Sequence, residues 1–402
     1  MPPHEDTARS QAPAAVRPAR AEPARPGALF LAFLRIGATA FGGPAMVPYI
    51  GGVAVRRGWL SREEFAEGVA LCQSIPGATA MQTAAFVGLR AAGPRGAIAA
   101  YAGFGLPAAT LMVAASAAYA RALDLAVFQS AFRGLRAVIV ALVASAAFMF
   151  ARSHVRSPID VLVALGCAAA LYLGVSPVAA IAGAVALELV LHRRAGAVAA
   201  RALQERFPGA SRAAVRLALG AVAVTLLLLL VAPRLGALAL VCMKVDAVAF
   251  GGGFASIPLM FHEMVEVRRW VDARTFIDGI ALGQVTPGPI VVTTTFVGYQ
   301  LAGLAGAFVA TAAVFFPSFL LLLAVAPWFD RLRARPWFTP ALRGAILSFV
   351  GLLVFVTYGL ARSLDWSLAT AVLSMAAFVA LRAGASVPVV VLASAVAAVL
   401  VA

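Results

Sequence analysis

The chain has 402 residues, of which 62% are hydrophobic and 12% are charged, with a mean hydropathy of +0.94 and a formal net charge of +15. A soluble core of this size does not need so much apolar surface, and the apolar runs are about as long as bilayer spans. The basic residues sit mainly in short loops, as positive-inside charges do. The composition therefore predicts an all-α polytopic membrane protein and no nucleic-acid partner.

In chain order, residues 1–27 are rich in Pro, Ala and Arg and read as a disordered tail without the apolar segment of a secretory signal. Residues 28–192 form a first repeat, 193–234 a basic loop and a linker helix, and 235–402 a second repeat. The first span begins near Ala28 and is interrupted by Phe41-Gly42-Gly43. Two glycines with a proline close behind cannot continue an ordinary membrane helix.

A second interruption follows a capped helix. Ser61 and Glu64 form a capping box, and the helix that they start breaks at Pro76-Gly77 before continuing towards Arg90. In lipid, the backbone groups freed at such breaks must be buried in protein or line a wet cavity. Both interruptions are therefore candidate parts of a binding site.

The same features recur about 210 residues later. Arg35, Phe41, Gly42 and Gly43 correspond to Lys244, Phe250, Gly251 and Gly252, and Gln73, Pro76 and Gly77 correspond to Gln284, Pro287 and Gly288. With about six helices in each repeat and one linker helix, we expect about 13 spans. An odd linker helix makes the halves inverted repeats, an architecture of secondary transporters with a midplane site. The distribution of Lys and Arg places the N-terminus in the cytoplasm.

Two intramembrane cations are the first candidate site residues. Arg35 and Lys244 each lie six positions before a glycine break, and a cation near the bilayer centre costs about 2.5–3.5 kcal/mol on insertion scales. Snorkelling to the interface, or pairing of Lys244 with Asp246, would explain them without a ligand. The duplicated placement favours an anion site.

The breaks themselves supply neutral donors. Helices that start after Gly43, Gly77, Gly252 and Gly288 would present free N–H groups and a positive dipole end. The candidate substrate-binding set is Arg35, Phe41, Gly42, Gly43, Gln73, Pro76, Gly77, Thr83, Lys244, Phe250, Gly251, Gly252, Gln284, Thr286, Pro287, Gly288 and Thr294. Bonding of each threonine to its own helix is the alternative reading of the hydroxyls.

Glu67 and Asp278 form a matched acidic pair. They are candidates for proton coupling, because desolvation favours the protonated carboxyl; pairing with Arg62 or Arg274 is the alternative. Cys72, Cys167 and Cys242 are isolated and form no CxxC motif, and no Walker loop, HExxH or GxSxG motif occurs. We therefore expect no enzyme activity, no cofactor and no metal site.

The two FGG motifs, the RRGWLSREEF and RRWVDARTF turns, and the run from Ala281 to Pro289 followed by Phe296-Val-Gly-Tyr299 resemble the chromate ion transporter family, in its long two-domain form. The first half departs from the family pattern at Ile75-Pro-Gly-Ala78 and at Pro44. The resemblance implies a multi-pass inner-membrane protein that exports chromate, a tetrahedral oxyanion, and confers chromate resistance. Rocking of the two halves about a central site would give alternating access.

The sequence leaves three alternative functions. They are a carrier of sulfate or another oxyanion, a passive anion channel, and a membrane-scaffold protein. The expected partners are the oxyanion and membrane lipid, with a homodimer left open.

Overall fold

A computed structural model describes residues 24–39, 46–192, 207 and 209–401. Almost all of the predicted tail, the first glycine break at Phe41, Gly42 and Gly43, and nearly all of the basic loop lie outside the described residues. Within the described ranges the chain is helical and contains no strand. The predicted all-α class is confirmed there.

The first half contains seven helices, and three of them start at serine N-caps. Ser61 and Ser157 form capping boxes with Glu64 and Asp160, and Ser176 caps a helix that starts with proline. The helices are α1 (Pro26–Thr39), α2 (Met46–Arg56), α3 (Arg62–Ser74), α4 (Thr79–Ala122), α5 (Ala126–His154), α6 (Pro158–Tyr172) and α7 (Pro177–Leu191).

A linker helix, α8 (Ala210–Val231), leads to the second half, which has eight α-helices in its described residues. These are α9 (Pro233–Val248), α10 (Ser256–Met260), α11 (Ala273–Val285), α12 (Thr293–Val325), α13 (Phe329–Arg333), α14 (Phe338–Arg362), α15 (Leu368–Arg382) and α16 (Val387–Val401). A 3-10 turn, Gly253–Ala255, precedes α10 and a π-helix, Phe261–Val267, follows it. Two further 3-10 turns, Ile290–Val292 and Ala326–Trp328, flank α12.

Five of the described helices are long and apolar enough to cross a membrane. They are Thr79–Ala122, Ala126–His154, Ala210–Val231, Ile290–Arg333 and Phe338–Arg362, and five further apolar helices are shorter. The first predicted span is resolved into two short helices, α1 with 14 residues and α2 with 11 residues, whereas a full crossing takes about 20 residues. The chain is thus a helical membrane protein, and the count of 13 spans stays a prediction.

The breaks at Pro76-Gly77 and Pro287-Gly288 are tips of helical hairpins. Glu64 forms an ion pair with Arg90, and these two residues stand at equal sequence distance from Gly77. In the second half, a β-carbon built on Gly279 would lie 2.5 Å from the ring of Phe296, on the other side of Gly288. The helix that precedes each break therefore folds back against the helix that follows it. The expected continuation through the break as one interrupted helix is not what the structure shows.

A second reversal follows each hairpin, inside what reads as one long helix. Ala92-Gly93 and Ala302-Gly303 have non-helical backbone angles, with φ of +66° at Gly93 and +58° at Gly303. Gly88 touches Gly96 across the first reversal, and a β-carbon at Gly88 would clash with the Gly96 carbonyl. Residues 79–91 and 94–122 are thus two helices packed against each other. Residues 293–301 and 304–325 repeat this arrangement in the second half.

The two halves are interlocked. Helix α14 of the second half packs on α6 and α7 of the first, where a β-carbon at Gly344 would lie 2.7 Å from the Ala184 carbonyl oxygen. Conversely, α5 of the first half packs on α15 and α16, and Ser374 Oγ donates to the Ala137 carbonyl at 3.0 Å. Each half therefore packs two helices against a long helix of the other half, and the hairpin tips are buried.

Candidate functional site

Each hairpin tip packs against the opposite half at a proline-bearing helix. A β-carbon at Gly77 would clash with Ser318, which follows Pro317 in α12, and a β-carbon at Gly288 would clash with Ala108, which follows Pro107 in α4. The two contacts are reciprocal. The repeated tips are thus brought together in one central region, as a shared site requires.

The second FGG loop lies between the two tips. Positive φ angles of +96° at Gly251 and +91° at Gly252 turn the chain after α9. A β-carbon at Gly252 would lie 3.4 Å from Thr79 Oγ1, and one at Gly253 would lie 2.7 Å from Ile290 Cγ2. Thr79 begins α4 and Ile290 begins the 3-10 turn that runs into α12, so two helix starts converge on this loop.

Helix starts provide positive partial charge. The first N–H groups of a helix have no intrahelical acceptor, and the macrodipole adds to their attraction for anions. At the first tip, the Gly77 amide donates to the Ala249 carbonyl at 2.9 Å, which fixes the FGG loop to the tip. The arrangement can bind a negatively charged group.

A buried polar cluster lies beside the first tip, and three of its members come from different helices. Asp246 of α9 is fully buried, and its Oδ2 accepts from the Ser318 amide at 2.7 Å. Tyr101 Oη lies 2.9 Å from Ser318 Oγ and donates to the Phe315 carbonyl at 2.5 Å. Gln82 Nε2 donates to the Pro76 carbonyl at 2.7 Å. The cluster fastens the tip to α9 and α12.

The sequence does not predict this cluster. From the sequence, Asp246 is only a candidate partner for Lys244, and its counterpart by repeat position is Gly37. A search for matched residues cannot find a group that only one half carries. The signal that was available is an acidic residue within an apolar helix, four positions before the FGG motif.

The two predicted cations lie at exposed positions. Lys244 is paired with Glu263 of the π-helix at 2.5 Å, and 47% of its side chain is accessible. Its alternative pairing with Asp246 is not seen. Arg35 lies on an exposed position of α1. Neither side chain forms part of the buried cluster.

The predicted amides and hydroxyls differ in their surroundings. Gln73 is exposed, whereas Gln284 is buried and its Nε2 has no hydrogen-bond partner within the described structure. Thr83, Thr286 and Thr294 donate to backbone carbonyls of Thr79, Gly283 and Val291 at 2.8, 3.3 and 2.9 Å. The hydroxyls thus bond to their own chain segments, as the alternative reading described.

The remaining predicted site residues belong to the tips and the loops. Pro76, Gly77, Pro287, Gly288 and Gly252 are buried, Phe250 is partly buried and Gly251 is exposed. Phe41, Gly42 and Gly43 lie outside the described residues. The structure therefore brings together the two tips and the second FGG loop, and it does not describe the first loop.

The matched acidic pair occupies two different environments. Asp278 is buried, accepts two hydrogen bonds of 2.7 Å from the Arg136 guanidinium, and accepts a third of 2.6 Å from Tyr119 Oη. Glu67 lies on an exposed position of α3, beside a small cavity that Arg90 and Asp330 also line. The alternative pairing of Asp278 with Arg274 is not seen: Asp278 pairs with Arg136, and Arg274 pairs with Asp365.

No group of three or more His, Cys, Asp or Glu side chains within the described ranges could hold a metal ion. The three cysteines are buried and free.

The family model "Chromate transporter" matches residues 27–189 and again residues 236–400. An uncharacterized transporter of Methanocaldococcus jannaschii is 38% identical over 358 residues, 88% of this chain and 89% of that protein. A probable chromate transport protein of Synechococcus elongatus is 30% identical over 79% of this chain and 80% of its own length. The chromate transport protein of Cupriavidus metallidurans is 29% identical over 86% of this chain and 85% of its own length. No solved structure matches the chain.

The two matches to one family model fall on either side of α8, and they contain the hairpin tips and the FGG positions described above. The resemblance stated from the motifs is confirmed by this double match. The apolar helices agree with a multi-pass protein that works in a membrane. The chain belongs to the chromate transporter family.

Proposed function

We propose that the protein is a secondary transporter that exports chromate across the inner membrane and thereby confers chromate resistance. The observation that carries this proposal is the convergence of the two helix starts at Thr79 and Ile290 on the FGG loop between them. A tetrahedral oxyanion is suited to such a place, because backbone N–H groups at helix starts can donate to several of its oxygens. The relatives named as chromate transport proteins support chromate as the substrate.

We assign to Arg35 and Lys244 the role of attracting the anion towards the glycine loops. Both lie on exposed positions of the helices that lead to the glycine loops, so they are placed to raise the local concentration of an anion rather than to enclose it. The Lys244–Glu263 pair at 2.5 Å holds that ammonium beside the π-helix.

In this proposal the chain has about 13 spans and a cytoplasmic N-terminus. The inverted repeats then give the protein two related conformations, which open the site to opposite sides of the membrane in turn. Because α14 packs against α6 and α7, and α5 against α15 and α16, the two halves of the sequence cannot rock as separate bodies. We infer instead that the hairpins of both halves move together against a frame built from α5–α7 and α14–α16.

The direct test is chromate uptake into inverted membrane vesicles, with sulfate as competitor and with the pH gradient collapsed separately. Uphill accumulation that depends on a gradient is expected. Equilibration without accumulation would instead indicate a passive channel, and stronger inhibition by sulfate than by added chromate would indicate a sulfate carrier.

The basic residues have their own test. Arg35→Ala and Lys244→Ala are expected to lower chromate resistance in cells, while membrane insertion, followed by immunoblotting, stays normal. Arg121→Ala is the matched control, because Arg121 is exposed at the end of α4, away from the glycine loops. Full resistance in both variants would contradict the role given to the two cations.

A further inference from the structure

The proposed transport function gives no role to Asp246, a buried ionisable group beside the first tip. Asp246 is fully buried, and its Oδ1 has no hydrogen-bond partner within the described structure. A buried carboxylate normally has a basic partner or a full set of donors. No basic side chain among the described residues forms an ion pair with Asp246, whereas Asp278 has Arg136 and Asp160 has Arg343.

A second buried acceptor lies in the same cluster. Gln82 is fully buried, its Nε2 contacts the Pro76 and Ser318 carbonyls, and its Oε1 has no partner within the described structure. Asp246 and Gln82 thus both contact Ser318, and both present an oxygen without a donor. Two buried acceptors in one cluster thus lack a hydrogen-bond donor among the described residues, and a proton on the carboxylate would turn one of them into a donor.

The side chains around Asp246 indicate which cation its carboxylate could bind, a proton or a metal ion. The elements that pack against α9 are α8, α10 and α12, and their described titratable groups are Arg212 and Arg216 of α8 and Tyr299 of α12. Two further groups come near through side-chain contacts, Glu263 of the π-helix through Lys244 and Tyr101 of α4 through Ser318. Only Tyr101 has its hydroxyl in the cluster, where it bonds to Ser318. Lys244, on the same helix as Asp246, is held by Glu263. The carboxylate therefore has neutral polar neighbours. A proton can bind to a single carboxylate oxygen, whereas a metal ion needs several ligands, so a proton fits this site better.

Asp246 also lies beside the anion site. Its Oδ2 accepts from the Ser318 amide, and the Ser318 carbonyl accepts from Gln82 in the first turn of α4, which begins at Thr79. An oxyanion bound at this helix start would meet a negative carboxylate nearby, and the two like charges would repel each other. A proton on the carboxylate removes the repulsion.

We propose, on the basis of the proposed function, that Asp246 binds one proton when the oxyanion binds, so that the proton and the anion cross the membrane together. The proton binds to a carboxylate oxygen on one side of the membrane and leaves from it on the other, with no other chemical change. Gln82 and Ser318 are positioning residues that hold the carboxylate next to the helix start.

The test uses the purified full chain in proteoliposomes that carry a pH dye inside. For the natural chain, chromate added outside is expected to enter and to acidify the interior. Asp246→Asn keeps the shape of the side chain without its charge. The readout for this variant is the number of protons that enter per labelled chromate, which is expected to fall to zero whatever the rate of chromate exchange.

Asp124→Asn is the matched control, because Asp124 is an exposed acid between α4 and α5; it should retain both activities. Acidification that persists in Asp246→Asn would overturn the inference, and so would chromate entry that requires sodium and leaves the internal pH unchanged. Absence of chromate exchange in the natural chain would instead overturn the proposed function.

A second variant tests the inference even if Asp246→Asn does not fold. Tyr101→Phe leaves the carboxylate in place and removes a hydroxyl from its cluster, so it should shift the pH at which chromate entry is half maximal. An unchanged pH profile in Tyr101→Phe, together with a misfolded Asp246→Asn, would overturn the inference.

Discussion

Gly77 combines two constraints at the tip of the first hairpin. Its φ of +117° lies in a region that only glycine adopts readily, and its α-carbon packs against Ser318 so closely that a β-carbon would clash with the Ser318 side chain. The position therefore requires glycine both for the turn and for the contact between the halves.

Replacement of Gly77 by alanine should abolish transport. The added methyl group would strain the turn and push the tip away from α12, so the helix start at Thr79 would leave its place beside the FGG loop. Chromate uptake into inverted vesicles, normalised to the amount of protein in the membrane, measures the effect. Gly174→Ala is the matched control, because Gly174 also has a positive φ of +84° but no heavy atom lies within 4 Å of its β-carbon position. Equal uptake by the two variants would show that the contact is not needed.

The energetic cost of the positive φ can be separated from the cost of the clash with Ser318 by comparison with the control. A positive φ costs a non-glycine residue roughly 1–2 kcal/mol, and both variants incur it. Any further loss of function in Gly77→Ala therefore reports the contact with Ser318.

At the scale of elements, the reversals at Ala92-Gly93 and Ala302-Gly303 turn the chain back after each hairpin, so that the two helices on either side of the reversal pack together. In each of them two glycines touch across the turn, Gly88 with Gly96 and Gly298 with Gly306. The close approach lets the two helices pack backbone to backbone, as small residues allow in membrane proteins. The close packing at these two reversals thus depends on the absence of side chains at the four glycine positions.

Leucine at Gly88 or at Gly298 should lower the melting temperature of the purified protein. Overpacking of a tight contact costs typically 1–3 kcal/mol, and the leucine side chain would have to separate the two helices. Fluorescence-detected size-exclusion chromatography after heating measures the loss. Gly220→Leu on α8 serves as control, because no heavy atom lies within 4 Å of its β-carbon position. Melting temperatures of Gly88→Leu and Gly298→Leu equal to that of the control would contradict the backbone-to-backbone packing.

The sequence predicted these elements only in part. It located the tips at Pro76-Gly77 and Pro287-Gly288, because glycine and proline mark interruptions of a helix whatever shape follows. It could not distinguish a kink from a hairpin, since that difference lies in the contact of Gly279 with Phe296 across the tip. Asp246 was not predicted as a site residue, because its place in the site depends on its hydrogen bond with Ser318, which is distant in the chain.

At the scale of the whole molecule, the halves share one core. The ion pair between Arg343 of α14 and Asp160 of α6 is 2.5 Å long, and Glu188 of α7 is buried close to it. Such contacts join residues that are more than 150 positions apart, and no local pattern in the sequence announces them. The two halves nevertheless match the same family model, so the interlock joins two related units.

The interlock predicts that neither half is stable alone. The chain can be severed within the basic loop at residues 193–206, and the two parts can be expressed separately or together. Each part alone would expose in the membrane the polar groups and small-residue contacts that the other half covers, so rapid degradation is expected. Co-expressed parts should purify as one complex and restore chromate resistance.

One substitution makes this experiment specific to the interlock. A β-carbon at Gly351 of α14 would clash with the Ala164 carbonyl of α6, whereas no heavy atom lies within 4 Å of a β-carbon at Gly166 on the same helix as Ala164. Gly351→Leu should therefore prevent the co-expressed parts from purifying together, and Gly166→Leu should not. The reason is steric, because leucine at Gly351 would have to displace α6 from the face of α14 that it covers. Stable halves that insert separately, or a complex that tolerates Gly351→Leu, would contradict the shared core and would allow each half to move as an independent body.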